Sequence, residues 1–219
     1  MRIAIVGYGK MGRMIEDLAL ARGIEVGAKI DICDDPVAID NVDVAIDFTM
    51  PSAVVSNVER IAARGINIVM GTTGWQDQMP RVQEIVAQRN IGLVWSPNFS
   101  IGVNAFFRVV ETASRLLNDY EAWAWEIHHS AKKDAPSGTL LKLVEDMKRA
   151  GYTGKVDVAS NRAGKIPGTH EIGFDSGADT ITLRHTARSR EGFALGALKA
   201  AEWIVGKKGF HEFSEVFDA

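Results

Sequence analysis

Five residues rich in β-branched side chains, Arg2-Ile3-Ala4-Ile5-Val6, run straight into Gly7-Tyr8-Gly9-Lys10-Met11-Gly12. This junction narrows the possible fold more than any other stretch. A short apolar run reads as a buried strand, and the residues after it place Met14, Ile15, Leu18 and Ala19 on one helical face as far as Gly23. The result is strand, G-x-G-x-x-G, helix. A second strand, Glu25 to Ile30, then ends at Asp31. The three glycines serve different physical ends: Gly7 permits the tight turn, Gly9 lets the backbone approach a pyrophosphate, and Gly12 lets helix and strand pack closely. A glycine-rich turn without a ligand is the competing reading. The strand before, the helix after and the acidic residue closing the next strand together favour a dinucleotide site.

The alternation continues. Val42 to Phe48 reads as a third strand, Pro51 suits the first turn of a helix reaching about Arg64-Gly65, and Ile66 to Met70 is a fourth strand ending in Gly71-Thr72-Thr73-Gly74. A helix from about Trp75 to Arg89 leads to a fifth strand, Ile91 to Trp95, closed by Ser96-Pro97-Asn98-Phe99. The expected fold is α/β, a Rossmann doubly wound parallel sheet. Ligands of such sheets lie beyond the carboxyl ends of the strands, so Gly7 to Gly12, Asp31, Phe48-Thr49, Gly71 to Thr73 and Ser96 to Phe99 should converge on one crevice.

After Phe99 the pattern changes. A long helix, Asn104 to Asn118, precedes strand-like segments at Ala122 to Ile127, Lys155 to Val158, Glu171 to Phe174 and Asp179 to Thr186. This predicts a second, α+β domain over residues 99–190, whose substrate-binding and oligomerisation roles are what a family resemblance carried by residues 126–139 implies, with residues 1–98 plus 191–219 forming the dinucleotide-binding domain. The apolar helical stretch from about Glu191 to Val205 should return to the first domain.

The densest chemistry lies in the second domain. Glu126-Ile127-His128-His129-Ser130-Ala131-Lys132-Lys133-Asp134 carries two imidazoles, two ammoniums and two carboxylates, and Ala135-Pro136-Ser137-Gly138-Thr139 follows at the start of a helix. A solvated loop with an ordinary N-cap would also fit. Two imidazoles beside lysines instead suggest proton transfer on an anionic substrate, and Ser137, Gly138 and Thr139 at a helix N-terminus would hold a carboxylate or phosphate. A metal site is not expected, since adjacent strand residues point to opposite faces and the single cysteine, Cys33, is remote in sequence.

Charge and composition exclude other classes. A net charge of −3 with dispersed Lys and Arg gives no nucleic-acid footprint. One cysteine suits a reducing compartment, and without a signal-peptide pattern or an 18-residue apolar run, no membrane partner is expected. A cytoplasmic protein is the expectation.

Glu126 to Thr139 resembles the signature of the dihydrodipicolinate reductase family, E-x-H-H-x-x-K-x-D-A-P-S-G-T. The glycine loop, Asp47-Phe48-Thr49, Gly71-Thr72-Thr73-Gly74 and Asn98 to Asn104 extend the resemblance over nearly the whole chain. It implies a homotetrameric enzyme of lysine and diaminopimelate biosynthesis that reduces 4-hydroxy-tetrahydrodipicolinate, or the derived dihydrodipicolinate, with NAD(P)H. By this resemblance His128 is the general acid and Lys132 a second proton donor. His129, Ser137, Gly138 and Thr139 bind the cyclic dicarboxylate substrate. The glycine loop with Asp31, Gly71, Thr72, Thr73, Ser96, Pro97, Asn98 and Phe99 forms the dinucleotide site.

Two departures stand out. Pro167 to Phe174 does the work of two separate segments of longer members, which implies a shortened substrate domain, and Ile32 occupies the position where many relatives carry an Arg for the 2′-phosphate of NADP. Asp31 would accept hydrogen bonds from ribose hydroxyls and repel that phosphate, so NAD(H) is expected to be preferred over NADP(H) unless Lys29 or Arg13 reaches round. Two rivals are another two-domain dehydrogenase, similar to aspartate or inositol dehydrogenase, and a non-enzymatic NAD-binding redox sensor. The first would lack H-H-x-x-K together with P-S-G-T; the second would need no proton donor.

Overall fold

A computed structural model describes residues 1–31 and 39–217. Cys33 and Ile32 lie outside the described residues. The chain divides into two compact units, Met1–Ser100 with Glu191–Ala219, and Ile101–Arg190.

The first unit begins with β1 (Arg2–Val6), α1 (Lys10–Ala21), β2 (Glu25–Ile30) and β3 (Val44–Asp47). It continues through α2 (Val54–Ala62), β4 (Asn67–Met70), α3 (Met79–Arg89) and β5 (Gly92–Trp95). Every pairing among these strands is parallel, in the order β5-β4-β3-β1-β2. Such strands are covered on both faces and are therefore apolar on both: Ile3, Ala4 and Ile5, then Val44, Ala45 and Ile46, are fully buried. The chain reverses direction across the sheet between β1 and β3, the switch point where α/β sheets open a crevice.

The second unit contains α4 (Ile101–Leu116), β6 (Glu121–His128), α5 (Gly138–Arg149), β7 (Val156–Arg162), β8 (Thr169–Asp175) and β9 (Thr180–Thr186). Its sheet has the order β7-β6-β8-β9, with β6 parallel to β7 and antiparallel to β8. The parallel pair is joined through α5, a crossover that a two-residue hairpin could not make. One face packs Ala122, Ala124, Ile172 and Phe174 against Phe106, Phe107 and Val110 of α4 and Leu140, Leu143 and Met147 of α5.

The chain then returns to the first unit in α6 (Glu191–Ile204), which packs so closely that a Cβ on Gly196 would lie 1.7 Å from the Phe99 carbonyl oxygen. A tenth strand, β10 (Gly209–Glu212), adds parallel to β5; no sequence reading anticipated it. Buried Asn67 ties this edge together: its amide donates to the Ile204 carbonyl at 2.7 Å, and its carbonyl oxygen accepts from Gly92 N at 2.7 Å.

Candidate active site

Two of the three motif glycines answer to packing inside the chain. Gly7 has φ +90°, and a Cβ there would meet the Phe48 carbonyl oxygen at 2.4 Å. A Cβ on Gly12 would come within 2.4 Å of Gly7 O and 3.1 Å of Ile5 Cγ2. Gly9 is different, since a Cβ there would meet nothing within 4 Å among the described residues. Gly9 is also the N-cap of α1, where no side chain caps the helix and the first turn has no acidic residue. Unpaired N–H groups beside open space suit a phosphate.

A cavity of about 460 Å³ lies beyond these groups, lined by Gly7, Gly9, Asp31, Phe48, Thr49 and Arg60 among others. It joins the ends of β1, β2 and β3. Gly71 to Thr73 and Ser96 to Phe99 follow β4 and β5 and are not among its lining residues. The Phe48 ring connects the loops: a Cβ on Gly71 would sit 2.2 Å from its Cζ, and the Phe99 ring lies 6.3 Å away. Thr72 is buried, with its hydroxyl donating to Asp47 Oδ1 at 2.9 Å and accepting from Thr49 N at 2.8 Å. Asp47 also accepts from Thr49 Oγ1 and from Asn57 Nδ2. Burial raises the Asp47 carboxyl above its ordinary range, with Thr49, Asn57 and Thr72 pulling the other way. Ser96 Oγ donates to Asn98 O at 2.8 Å, which folds that loop upon itself; Pro97 is exposed.

Lys10 is exposed and Met11 half-buried on the first turn of α1. Tyr8 donates its hydroxyl to Glu16, Lys29 Nζ lies 2.9 Å from Glu16 Oε1 and 5.0 Å over the Tyr8 ring, and Arg13 stacks at 5.2 Å. Lys29 and Arg13, the two cations weighed against Asp31 from sequence, are thus both gathered on Tyr8. Arg60, which sequence reasoning did not single out, shares the cavity with Asp31.

In the second unit, the period of two along β6 puts Ala122, Ala124, Glu126 and His128 on the buried face. Register then places Glu126 between Ser160 and His170, and His128 beside Arg162. Glu126 is wholly buried and accepts from Ser137 N at 2.9 Å, from the Ser137 hydroxyl and from Arg162 Nη2 at 2.8 Å. His170 Nε2 lies 3.3 Å from Glu126 Oε2 and 3.2 Å from Ser137 Oγ. His128 turns its buried Nδ1 toward the same Oε2 at 3.5 Å, and its ring stands edge-on to His170 at 5.0 Å.

These contacts set the charge states. Burial raises Glu126, but the Ser137 hydroxyl and the Arg162 guanidinium more than offset it, and the carboxyl ends below its ordinary range. Burial lowers His128 despite the attraction of Glu126. His170 is pushed down to about 4 by burial and by the neighbouring His128. The site at rest therefore holds one carboxylate, one guanidinium and two neutral imidazoles.

The loop after β6 is pinned from both ends. Lys132 N donates to His129 O at 3.1 Å, Lys132 Nζ donates to Asp134 Oδ1 at 2.7 Å, and Arg162 donates to the Asp134 carbonyl. His129 is half-buried and Lys133 is exposed. Ser137, a residue expected to meet substrate, is 2% exposed; its hydroxyl faces Glu126 and accepts from Leu140 N at 3.2 Å as the N-cap of α5. Exposed Gly138 and half-buried Thr139 are left at the open helix start. Glu126, His128 and His170 offer ligand atoms within 4.8 Å of one another, yet a cation there would compete with Arg162 for a carboxylate already accepting three bonds. The partners missed from sequence are Arg162 and His170. The signal available for Glu126 and His128 was their i, i+2 spacing.

A Rossmann unit with a glycine-rich strand-to-helix turn, together with a second unit carrying a buried carboxylate–imidazole cluster, fits the class of nicotinamide-dinucleotide-dependent oxidoreductases. Residues 1–99 match the family model for the dihydrodipicolinate reductase N-terminus, and residues 102–217 match that for its C-terminus. The chain belongs to the dihydrodipicolinate reductase family. It is 36% identical to a 4-hydroxy-tetrahydrodipicolinate reductase of Christiangramia forsetii, over 99% of this chain and 97% of the relative. It is 35% identical to another of Archaeoglobus fulgidus, over 100% of both. A dipicolinate-bound dihydrodipicolinate reductase from Paenisporosarcina shares the fold at TM-score 0.79 and 20% identity, covering 97% of each chain. Among the described residues no helix is long and apolar enough to cross a membrane.

Proposed function

We propose that the chain reduces 4-hydroxy-tetrahydrodipicolinate, or the dihydrodipicolinate derived from it, to tetrahydrodipicolinate in lysine and diaminopimelate biosynthesis. The observation that carries this is the cluster on β6: the His128 imidazole beside the buried Glu126 carboxylate, followed by a lysine and a helix start. When bound at the first unit, a nicotinamide dinucleotide would supply the hydride to ring carbon 4 of the substrate. His128 would give one proton to the ring anion that hydride addition at carbon 4 leaves, so that one hydride and one proton make up the reduction, and Lys132, 2.7 Å from Asp134, is the second donor for that proton. His129 and the N–H groups at Gly138 and Thr139 hold the substrate carboxylates. Ser137 acts from behind, by capping α5 and bonding Glu126.

On the first unit, the Gly7 to Gly12 loop holds the pyrophosphate at the uncapped start of α1, and Asp31 takes the adenosine ribose. The cradle fits because Gly9 faces open space. Gly71 to Thr73 and Ser96 to Phe99 continue the site along the strand ends. NADH is preferred over NADPH, since Asp31 repels a 2′-phosphate and Lys29 and Arg13 are gathered on Tyr8. The working form is a cytoplasmic homotetramer.

The test is oxidation of NADH in the presence of the product of dihydrodipicolinate synthase, generated in situ. Wild type should turn over. His128→Ala should lower kcat about 10²- to 10⁴-fold while retaining nucleotide binding. An unaltered kcat would remove His128 from the mechanism, and no turnover by wild type would overturn the assignment.

A further inference from the structure

Resting on this reading, we propose that Glu126 is the positioning residue of the proton donor: its Oε2 receives the Nδ1–H of His128 and so fixes Nε2 as the atom that gives up the proton. Donor and acceptor arithmetic leads there. The single hydrogen of the Ser137 hydroxyl goes to Glu126, so toward His170 that oxygen can only accept, and His170 must carry its hydrogen on Nε2. Both oxygens of Glu126 are thereby held in place by groups from the sheet and from α5: Arg162 Nη2 and Ser137 N on Oε1, the Ser137 hydroxyl and His170 on Oε2.

Against this rigid carboxylate, His128 Nδ1 is buried, has no hydrogen-bond partner among the described residues, and lies 3.5 Å from Oε2. Arg162 Nε and Ser160 Oγ are likewise buried without a partner among the described residues, but His128 Nδ1 is the one of the three that belongs to the proton donor. A buried polar atom left unpaired costs free energy, and protonation of His128 is what closes the contact, as an imidazolium donating from Nδ1 to a carboxylate. On giving its Nε2 proton to the substrate, the ring returns to neutral imidazole with the Nδ1 hydrogen still facing Glu126. At the other end of the ring the backbone closes in: a Cβ on Gly168 would lie 2.9 Å from Nε2. The charged and titratable groups around the ring are Glu126 on its own strand, Arg162 on β7, His170 on β8, and Lys132 and Asp134 on the following loop. Glu126 and Asp134 favour the imidazolium; Lys132 and Arg162 oppose it. Of these two carboxylates, Glu126 is the one with an oxygen 3.5 Å from Nδ1.

The experiment is the pH profile of kcat/KM for wild type and Glu126→Gln, read with solid-state spectra of ¹⁵N-histidine-labelled wild type. Loss of the carboxylate disfavours the imidazolium, so the limb on which activity falls with rising pH should move at least about one unit to lower pH. Near pH 8 this is a loss of about tenfold or more, shrinking toward acid pH, with the KM for NADH unchanged. In wild type above that limb, His128 should carry its hydrogen on Nδ1. An unmoved limb with a uniform loss at all pH values would make Glu126 merely structural and overturn the proposal. So would an Nε2–H tautomer of His128, a measurement that stands even where the variant fails to fold. Wild-type turnover accompanies either failure and keeps it distinct from failure of the functional assignment.

Discussion

Arg162 Nη2 meets Glu126 Oε1 at 2.8 Å across the register of β6 and β7, and Glu126 is wholly buried. A carboxylate taken out of water needs a partner, and removing one member of such a pair leaves the other uncompensated. Arg162→Ala should therefore destabilise the fold by about 2–4 kcal/mol. Urea unfolding checks this, and a change below about 0.5 kcal/mol would mean that Ser137 alone satisfies the carboxylate.

The two adjacent lysines provide a comparison of register. Lys132 is held against Asp134 at 2.7 Å, whereas Lys133 is exposed. Lys132→Ala should lower kcat by about two decades or more, within the usual size of a proton-donor effect, while Lys133→Ala stays near wild type. Equal effects would displace Lys132 from its role.

Stability should fall in mild acid. His170 is depressed to about 4 in the folded chain, against about 6.5 unfolded. Between those values the unfolded chain binds a proton that the folded chain does not, so His170's contribution is fully present above about pH 6.5 and is lost as pH falls toward 4. The loss for this buried group is on the order of 3 kcal/mol. His128 and His185 shift in the same direction. Urea midpoints measured across that range should drop in wild type and drop less in His170→Gln.

Cofactor choice is checked by kcat/KM with NADH and NADPH. Repulsion between a carboxylate and a 2′-phosphate about 5 Å apart is worth roughly 1–3 kcal/mol, or about one to two decades in favour of NADH. Ile32→Arg should raise NADPH efficiency selectively. Arg60 shares the cavity with Asp31, so a wild type that already favours NADPH and loses that preference in Arg60→Ala would identify the cation that holds the phosphate.

The proposed assembly is tested at the face of the second sheet opposite α4 and α5. Trp123, Trp125 and Ile127 alternate there and are only half-buried within the chain, although Trp125 donates to Asn161 at 2.7 Å. Light scattering at micromolar concentration should give a tetramer of the 23.9 kDa chain; a monomer would rule out the tetrameric form.

The local order of the chain was written in its sequence. Buried β-branched strands, the glycine loop and the amphipathic helices each follow from a period or a backbone requirement satisfied within about a dozen residues, which is why Gly7, Gly12 and the alternation of β6 could be read directly. What lay beyond was decided by pairing at a distance. Both Trp123 and Ala124 fit a half-buried strand, and only the packing of Phe106, Phe107 and Leu143 beneath the small alanines selected the face that carries Glu126 and His128 inward. β10 has too few apolar residues to declare itself and exists because β5 offers an open edge. Arg162 and His170 lie 36 and 44 residues from Glu126, and although the Pro167 to Phe174 stretch was legible as a family segment, nothing local tied its His170, or Arg162, to Glu126; the register of three strands brought them to one carboxylate.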